Sequence, residues 1–235
     1  MPNPLWSRKK KRTKRAMVSI ILCTFNDSHF LPKAINSCLQ QNMDKELILV
    51  DDCSTKPLIP EVKELIAQHG IKLIRHDKNG GLSASRNTGI SQAKHDWVIP
   101  LDADDWFYPD TVIRLFNNRD GADIVTGNCT DAGVYAPAIS RVPLSKEVFK
   151  RENPCVCSSL FSKEIWKRAG GYTVREGPHY EDWRFWAMCF AKGARFKYLP
   201  ISIYHHTSRA DSMLRILHPK RDFFVKFATE GVFDD

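Results

Sequence analysis

The sequence has no long apolar run. None of its 235 residues belongs to a stretch approaching the ~18 consecutive apolar residues that a membrane-spanning helix needs. The N-terminus also lacks the apolar segment of a secretory signal, so we expect a cytoplasmic protein. Hydrophobic residues make up 43% of the chain and charged residues 26%, which is ordinary for a globular protein. This length allows one large α/β domain or two small ones, with enough residues for a core.

Cysteines at the spacing of a zinc site or a disulfide framework are also absent. The seven cysteines are scattered singly along the chain, apart from Cys155 and Cys157. An odd number without a repeated Cys-x-x-Cys spacing is typical of reduced thiols. We therefore expect free cysteines and no structural zinc.

Net positive charge is low outside one short segment. The formal net charge is +8, and seven basic residues lie within residues 8–15, so the rest of the chain carries about +1. Such a block repels itself, and we predict a disordered basic tail at residues 1–16. The alternatives for this tail are a solvated segment without a specific partner and peripheral contact with an anionic membrane surface. No specific nucleic-acid partner is expected.

Short apolar runs alternate with helical patterns along the first half of the chain. We predict strands at residues 17–23, 46–50, 71–75 and 96–101, and helices at 28–40, 60–69 and 82–93. This alternation indicates βαβ units and a parallel sheet. The second half is less regular, with a loop at 128–160, helices at 109–118, 145–151, 162–168 and 181–192, and extended chain at 122–126 and 195–204.

Polar clusters follow three of the predicted strands. They are Thr24-Phe25-Asn26, Asp51-Asp52 and the segment Asp102-Ala103-Asp104-Asp105. In open α/β sheets, ligands bind beyond the carboxyl ends of the strands, so three polar clusters at one edge predict a site.

The acidic segment at residues 102–105 indicates a cation. Carboxylates this close raise one another's pKa or require a positive charge nearby. A divalent metal that carries a diphosphate would neutralise these carboxylates, since Mg²⁺ and Mn²⁺ prefer oxygen ligands. The alternative is an aspartate-rich turn at the start of the next helix, and we expect Asp105 to cap that helix.

Taken together, these segments resemble family 2 glycosyltransferases with the GT-A fold. The resemblance rests on residues 18–27, 46–55, 79–90, 96–105, 170–172 and 180–186, in the order and spacing of the family. It implies a Rossmann-like, mainly parallel sheet flanked by helices, with a less regular C-terminal half that binds the acceptor. The implied domain is 17–215, with a nucleotide-binding half at 17–106, an acceptor-binding half at 107–215, and a C-terminal extension at 216–235.

The resemblance also implies a donor site for a nucleoside-diphosphate sugar, most simply a UDP-sugar. The implied donor-binding residues are Cys23, Thr24, Phe25, Asn26, Asp52, Gly81, Arg86, Asn87, Asp102, Ala103 and Arg209. Two alternatives stay open, because Asp52 could simply cap a strand end and Arg86 could simply pair with an acid. For Mn²⁺ or Mg²⁺, the implied ligands are Asp104 and Asp102, with His205 or His206 completing the set.

The acidic pair Glu181-Asp182 opens an aromatic helix and fits the family's Glu-Asp motif. The resemblance implies that Asp182 is the general base, with Glu181 orienting it or touching the acceptor, and that transfer inverts the anomeric carbon. The alternative is that both acids merely favour a helix N-terminus. Trp106, Tyr108, Tyr172 and Trp183 could stack on sugar rings or could belong to the core.

The expected acceptor is a hydroxyl on a glycan, on a lipid-linked molecule or on another compound. A processive synthase is disfavoured because the chain lacks a Gln-x-x-Arg-Trp motif. A haloacid-dehalogenase phosphatase fits poorly with Asp105-Trp106, and a dinucleotide oxidoreductase lacks its Gly-rich turn after the first strand. The remaining alternative is a catalytically inactive GT-A-like protein whose basic tail contacts a membrane or nucleic acid.

Overall fold

The structure is a computed structural model that describes residues 17–131, 133–176, 179–208 and 221–234. The predicted basic tail and Arg209 lie outside these ranges. Within them, no helix is both long and apolar enough to cross a membrane. All seven cysteines lie in the described part of the chain as free thiols, as their spacing predicts.

Strands and helices alternate through the first half of the chain, as the sequence predicts. The elements are β1 (Met17–Thr24), α1 (Leu31–Leu39), β2 (Asp44–Asp51), α2 (Pro60–His69), β3 (Lys72–Arg75), α3 (Gly81–Gln92) and β4 (Trp97–Asp102). Buried β-branched and leucine side chains fill β1, β2 and β4, which is typical of a parallel sheet covered on both faces.

The second half contains shorter elements. They are β5 (Trp106–Phe107), α4 (Thr111–Asn117), β6 (Ile124–Thr130), β7 (Val134–Tyr135), α5 (Lys146–Phe149), β8 (Leu160–Ser162), α6 (Lys163–Ala169), α7 (Glu181–Ala191), β9 (Phe196–His205) and α8 (Arg221–Thr229). The sequence does not predict β5, β7 and β8, since two or three residues are too few to show a periodicity.

The described strands form one mixed sheet. Its order is β3-β2-β1-β4-β8-β6-β9-β5, with β7 paired to β6. Strands β3, β2, β1 and β4 are parallel, whereas β8 is antiparallel to both β4 and β6. The expected α/β architecture with a parallel sheet in its first half is therefore confirmed, and β8 joins the parallel half to the less regular half.

The register of the parallel strands brings the predicted polar clusters to one edge. Thr24 pairs with Asp51 on β2, and Cys23 pairs with Asp102 on β4. The loops that follow β1, β2 and β4 therefore begin at the same level of the sheet.

Alternate side chains of β1 enter two apolar clusters on opposite faces of the sheet. Ile20 and Leu22 lie in the cluster that includes α1, while Ile21 lies in the cluster that includes α3. Helix α3 lies so close to the sheet that a Cβ at Gly89 would overlap the side chain of Ile21. A glycine is therefore required within this helix despite its helix-breaking tendency.

The described part of the predicted C-terminal extension packs on α7. Ala228 of α8 is fully buried in the same cluster as Trp186 of α7. Arg184 of α7 donates to the main-chain carbonyls of Phe227 at 2.6 Å and Glu230 at 3.0 Å.

Candidate active site

The loop after β1 is tied to the loop after β2 through Asn26. This residue has a left-handed backbone (φ 61°), which asparagine tolerates better than most residues. Its Oδ1 accepts hydrogen bonds from the backbone N–H groups of Thr55 at 2.9 Å and Lys56 at 3.0 Å. Phe25, next to it, is 45% exposed, whereas the hydroxyl of Thr24 is buried and makes no hydrogen bond within the described residues.

The carboxylate of Asp52 lies at the N-terminus of α3. It accepts hydrogen bonds from the backbone N–H groups of Gly80 at 2.9 Å and Gly81 at 2.7 Å, and it contacts His76 Nδ1 at 2.7 Å. A negative charge at this position stabilises the helix. This contact with a helix N-terminus differs from the strand-end cap that the sequence leaves open, and the contact of Asp52 with a nucleobase stays a prediction.

Arg86 is the charged centre of the site. It is only 1% exposed, and its Nη1 donates to Glu181 Oε1 at 2.6 Å while its Nη2 donates to Asp102 Oδ1 at 2.7 Å. Burial alone would lower the pKa of Arg86, but the two carboxylates raise it well above its ordinary value. The pairing with an acid that the sequence leaves open is present, and a donor-binding role for Arg86 stays a prediction.

Asn87, the next residue of α3, holds the glycine-rich turn at Gly171. Its Nδ2 donates to the carbonyl of Tyr172 at 2.7 Å, and its Oδ1 accepts from the Tyr172 N–H at 2.8 Å and from Trp166 Nε1 at 3.0 Å. Its amide is thereby engaged in joining α3 to the loop that leads to the Glu-Asp pair.

The acidic segment after β4 divides into partly exposed and buried groups. Asp102 is partly exposed and shares Arg86, whereas Asp105 is buried and accepts a hydrogen bond from the Thr207 N–H at 2.8 Å. Burial and the charge of Asp102 raise the pKa of Asp105 well above its ordinary value. The expectation that Asp105 caps the next helix is wrong, because α4 begins at Thr111 and its preceding residue is Asp110.

Possible metal ligands in the described residues gather around this buried aspartate. Ligand atoms of Asp102, Asp105 and Cys157 all lie within 4.8 Å of one another. The second carboxylate oxygen of Asp105 has no hydrogen-bond partner among the described residues. Sequence reasoning misses Cys157, since it lies in the predicted loop and only the tertiary fold brings it to Asp102.

The other predicted metal ligands do not join this group. Asp104 is partly exposed, and Ala103 beside it is buried. His205 stacks on Trp106 with ring centroids 3.9 Å apart, because β9 pairs with β5 at these two residues. The His206 N–H donates to the carbonyl of Thr130 at 2.7 Å.

Asp182 lies in the first turn of α7, one residue beyond the partner of Arg86. Its Oδ2 accepts a hydrogen bond from Asn153 Nδ2 at 2.9 Å, and its Oδ1 accepts one from the Trp183 N–H at 2.7 Å. Burial and the charge of Glu181 raise the pKa of Asp182 from 3.8 to about 7. Asn153 is a second residue that sequence reasoning misses, since it also lies in the predicted loop.

The aromatic residues near the site divide between core and surface. Tyr172 is 2% exposed and Trp183 is 3% exposed, so both belong to the core, whereas Trp106 and Tyr108 are partly exposed. The Trp183 Nε1 donates to the carbonyl of Phe149 at 2.8 Å, which holds α5 against α7.

A mixed sheet with this acidic edge and a facing Glu-Asp helix defines a glycosyltransferase of the GT-A class. Residues 19–209 match Glycosyl transferase family 2, and the chain belongs to this family. It is 28% identical to the cholesterol galactosyltransferase of Borreliella burgdorferi, over 93% of this chain and 69% of that protein.

Solved structures show the same fold. S. aureus TarS 1-349 in complex with UDP-GlcNAc superposes with a TM-score of 0.74 at 18% identity, covering 93% of this chain and 68% of that one. The mannosyltransferase PcManGT of Pyrobaculum calidifontis, in complex with GDP-Man and Mn²⁺, gives a TM-score of 0.66 at 16% identity, over 85% and 59%. The chain thus spans well over half of each of these proteins.

Proposed function

We propose that this glycosyltransferase moves a sugar from a nucleoside-diphosphate sugar to an acceptor hydroxyl, with inversion at the anomeric carbon. A UDP-sugar is the preferred candidate for the donor. The acceptor oxygen forms a bond to the anomeric carbon, and its proton passes to Asp182. The bond between the anomeric carbon and the diphosphate oxygen breaks, and the nucleoside diphosphate leaves. The acceptor is a glycan, a lipid-linked molecule or another hydroxyl compound. The observation that carries this proposal is the bridge from Asp102 on the acidic sheet edge through Arg86 to Glu181, the neighbour of Asp182. The raised pKa of Asp182, about 7, agrees with a role as base.

A carboxyl group with this pKa suits a general base. At neutral pH a large share of it is ionised, yet it binds a proton far more strongly than an ordinary aspartate does. Asn153 and the Trp183 N–H hold its two oxygens in place, so the group is oriented before the acceptor arrives. Glu181 is turned toward Arg86 and acts by orienting this end of α7.

Arg86 fixes the position of the proposed base relative to the proposed donor site. Its guanidinium bonds to Glu181 of α7 and to Asp102 of β4, so the two elements are held through one buried side chain. The proposed donor contacts lie in four parts of the chain. They are residues 23–26, Asp52 with Gly81 at the start of α3, Arg86 with Asn87 in α3, and Asp102 with Ala103 at the end of β4, together with Arg209 outside the described residues. Direct displacement requires the base and the leaving group on opposite faces of the sugar, and a rigid link of this kind maintains such a separation.

The acidic edge fits a divalent cation. Ligand atoms of Asp102, Asp105 and Cys157 lie within 4.8 Å of one another, and one buried oxygen of Asp105 has no hydrogen-bond partner among the described residues. Carboxylate oxygens are the ligands that Mg²⁺ and Mn²⁺ prefer. Asp102 belongs to this group and would hold the ion. Asp104 and His205 or His206 stay the proposed further ligands, although they lie outside the group of Asp102, Asp105 and Cys157 in this structure. When bound, the ion would neutralise the charge that develops on the departing diphosphate.

Thermal unfolding with UDP, GDP, dTDP and NAD, each with Mn²⁺ and with EDTA, tests the donor site. A ligand at ~100 times its Kd adds roughly 2.7 kcal/mol to the stability of the folded protein. We expect UDP to raise the unfolding temperature with Mn²⁺ and to lose this effect in EDTA. The proposed donor would be contradicted if only NAD raised the unfolding temperature. It would also be contradicted if none of the nucleotides raised it.

Turnover then tests the chemistry. With the donor sugar identified from this screen, Asp182→Asn should abolish transfer while leaving the nucleotide-induced shift intact. NMR of the product should show the anomeric configuration opposite to that of the donor. Undiminished transfer by this variant would refute Asp182 as the base, and retained configuration would refute inversion.

Peripheral attachment through residues 8–15 predicts binding to vesicles of anionic lipid that weakens with salt.

A further inference from the structure

An exposed aromatic side chain lies on the hairpin formed by β6 and β7. Tyr135 pairs with Cys129 across this hairpin, and 48% of it is exposed. Large aromatic residues of this exposure are few in the described residues. A single exposed aromatic residue is ordinary in itself. A functional role for Tyr135 therefore has to be argued from its position relative to Asp182.

Hydrogen bonds connect the hairpin to Asp182. Arg141 Nη1 donates to the carbonyl of Ala136, the residue after Tyr135, at 2.7 Å. The other nitrogen, Nη2, donates to Glu152 Oε2 at 2.7 Å. The next residue, Asn153, donates to Asp182 at 2.9 Å. The segment that carries Tyr135 is thereby attached, through one arginine, to the segment that orients the base.

The electrostatic surroundings of Tyr135 agree with this placement. Burial raises the pKa of the Tyr135 hydroxyl above its ordinary value, and the charges of Glu152 and Asp182 raise it further, while Arg141 lowers it. The geometric link is the hydrogen bond from Arg141 to the carbonyl of Ala136, the residue that follows Tyr135, and the ring of Tyr135 is half open to solvent.

We propose that Tyr135, with the Arg141–Glu152 pair, forms an acceptor subsite that binds a pyranose ring beside Asp182. The apolar C–H face of a sugar ring would pack on the phenol ring, and the guanidinium and carboxylate would bind its hydroxyls. A few convergent polar groups around an aromatic surface are typical of small-molecule sites. This inference rests on the proposed function, because it assigns the acceptor of the same reaction as a carbohydrate.

Saturation-transfer NMR tests this subsite with simple glycosides in place of the natural acceptor. The samples contain UDP and Mn²⁺ at concentrations that fill the donor site. The probes are octyl glucoside, octyl galactoside, octyl mannoside, octyl N-acetylglucosaminide and n-octanol. The shared alkyl chain makes n-octanol the control for apolar binding. We expect saturation on the pyranose protons of at least one glycoside, and Tyr135→Ala should weaken that binding roughly three- to tenfold.

Variants separate the aromatic platform from general damage. Tyr135→Phe should retain binding because it keeps the ring, and Arg141→Ala should weaken it. Arg195→Ala is the matched control, since Arg195 also forms an exposed ion pair, with Asp123, elsewhere in the fold. Signal on the alkyl chain alone, no signal from any glycoside, or equal binding by Tyr135→Ala would overturn the subsite. The UDP-induced thermal shift, measured on the same samples, would still stand in each of those cases if the donor site is correct.

Discussion

Arg86 and Glu181 form a buried ion pair whose nitrogen and oxygen atoms lie 2.6 Å apart. The second terminal nitrogen of Arg86 holds Asp102, so a single guanidinium serves carboxylates from β4 and α7. These two elements carry the acidic edge and the proposed base. The pair therefore links the packing of the two halves of the chain to the geometry of the site.

Loss of the Arg86 guanidinium should destabilise the fold strongly. Arg86→Met leaves Glu181 buried and Asp102 partly buried, both without their cation. Breaking a buried pair in this way costs about 3–5 kcal/mol, and we expect a decrease of this size in the free energy of unfolding, measured by urea denaturation. The double variant Arg86→Met/Glu181→Gln should lose less than the sum of the two single variants.

Arg195→Met is the control for this prediction. Arg195 pairs with Asp123, but its side chain is 65% exposed, so water replaces the lost contact. It should unfold at nearly the same urea concentration as the parent protein. Equal losses for the two arginine variants would show that the Arg86 ion pair contributes no more than a surface pair.

The raised pKa of Asp182 predicts a pH-dependent gain in stability for Asp182→Asn. The folded protein holds this proton up to pH about 7, whereas an ordinary aspartate releases it near 3.8. Between these values the folded state binds more protons than the unfolded state, so the contribution of Asp182 to stability decreases as pH rises. We expect Asp182→Asn to be more stable than the parent at pH 8, by on the order of 1–4 kcal/mol, and to gain little at pH 4.

Asp123 supplies a control of opposite sign. Burial would raise its pKa, but hydrogen bonds and the charge of Arg195 lower it overall. Asp123→Asn should therefore lose stability relative to the parent as pH rises from 2 to 5. Thermal unfolding of both variants across pH 2–8 measures the two trends, and a parallel pH dependence for the two would contradict the raised pKa at Asp182.

The long elements could be predicted from the sequence because each has enough residues to show a pattern. The apolar run of β1 and the helical spacing in α1 are examples, and the acidic edge follows from their order. The contacts of Asn153 and Cys157 could not be predicted, since both lie in a loop whose path depends on β8. Arg86 is an intermediate case: the sequence indicates that it matters, but its two acidic partners come from β4 and from α7, which only the fold brings together.

Asn153 should act as a positioning residue for the base. Its side-chain hydrogen bond lowers the pKa of Asp182, opposing the effect of burial. Asn153→Ala should therefore lower kcat and move the acidic limb of the pH–rate profile upward by roughly one unit. Asn118→Ala is the control, because Asn118 donates within its own exposed turn to the carbonyl of Arg114. An unchanged pH profile with a reduced rate would contradict this role.

Two adjacent glycines test how tightly α3 holds the turn before the Glu-Asp pair. Gly170 (φ 84°) and Gly171 (φ 78°) both have left-handed backbones, which cost other residues roughly 1–2 kcal/mol. A Cβ at Gly170 would meet nothing within 4 Å, whereas a Cβ at Gly171 would lie 2.9 Å from Asn87 Oδ1. Gly171→Ala should therefore destabilise the protein by about 1–3 kcal/mol more than Gly170→Ala, because the partly buried amide of Asn87 loses its bonds to Tyr172.

Urea denaturation of both alanine variants measures this difference directly. The shared backbone strain cancels in the comparison, so the excess for Gly171→Ala reports the steric displacement of Asn87. Since Asn87 follows Arg86 in α3, displacing it should also reduce transfer, whereas Gly170→Ala should leave the rate per folded molecule unchanged. Equal destabilisation by the two variants would mean that the Asn87 side chain can move away from the new Cβ without a loss of folding free energy. The turn leading to Asp182 would then be positioned by other contacts.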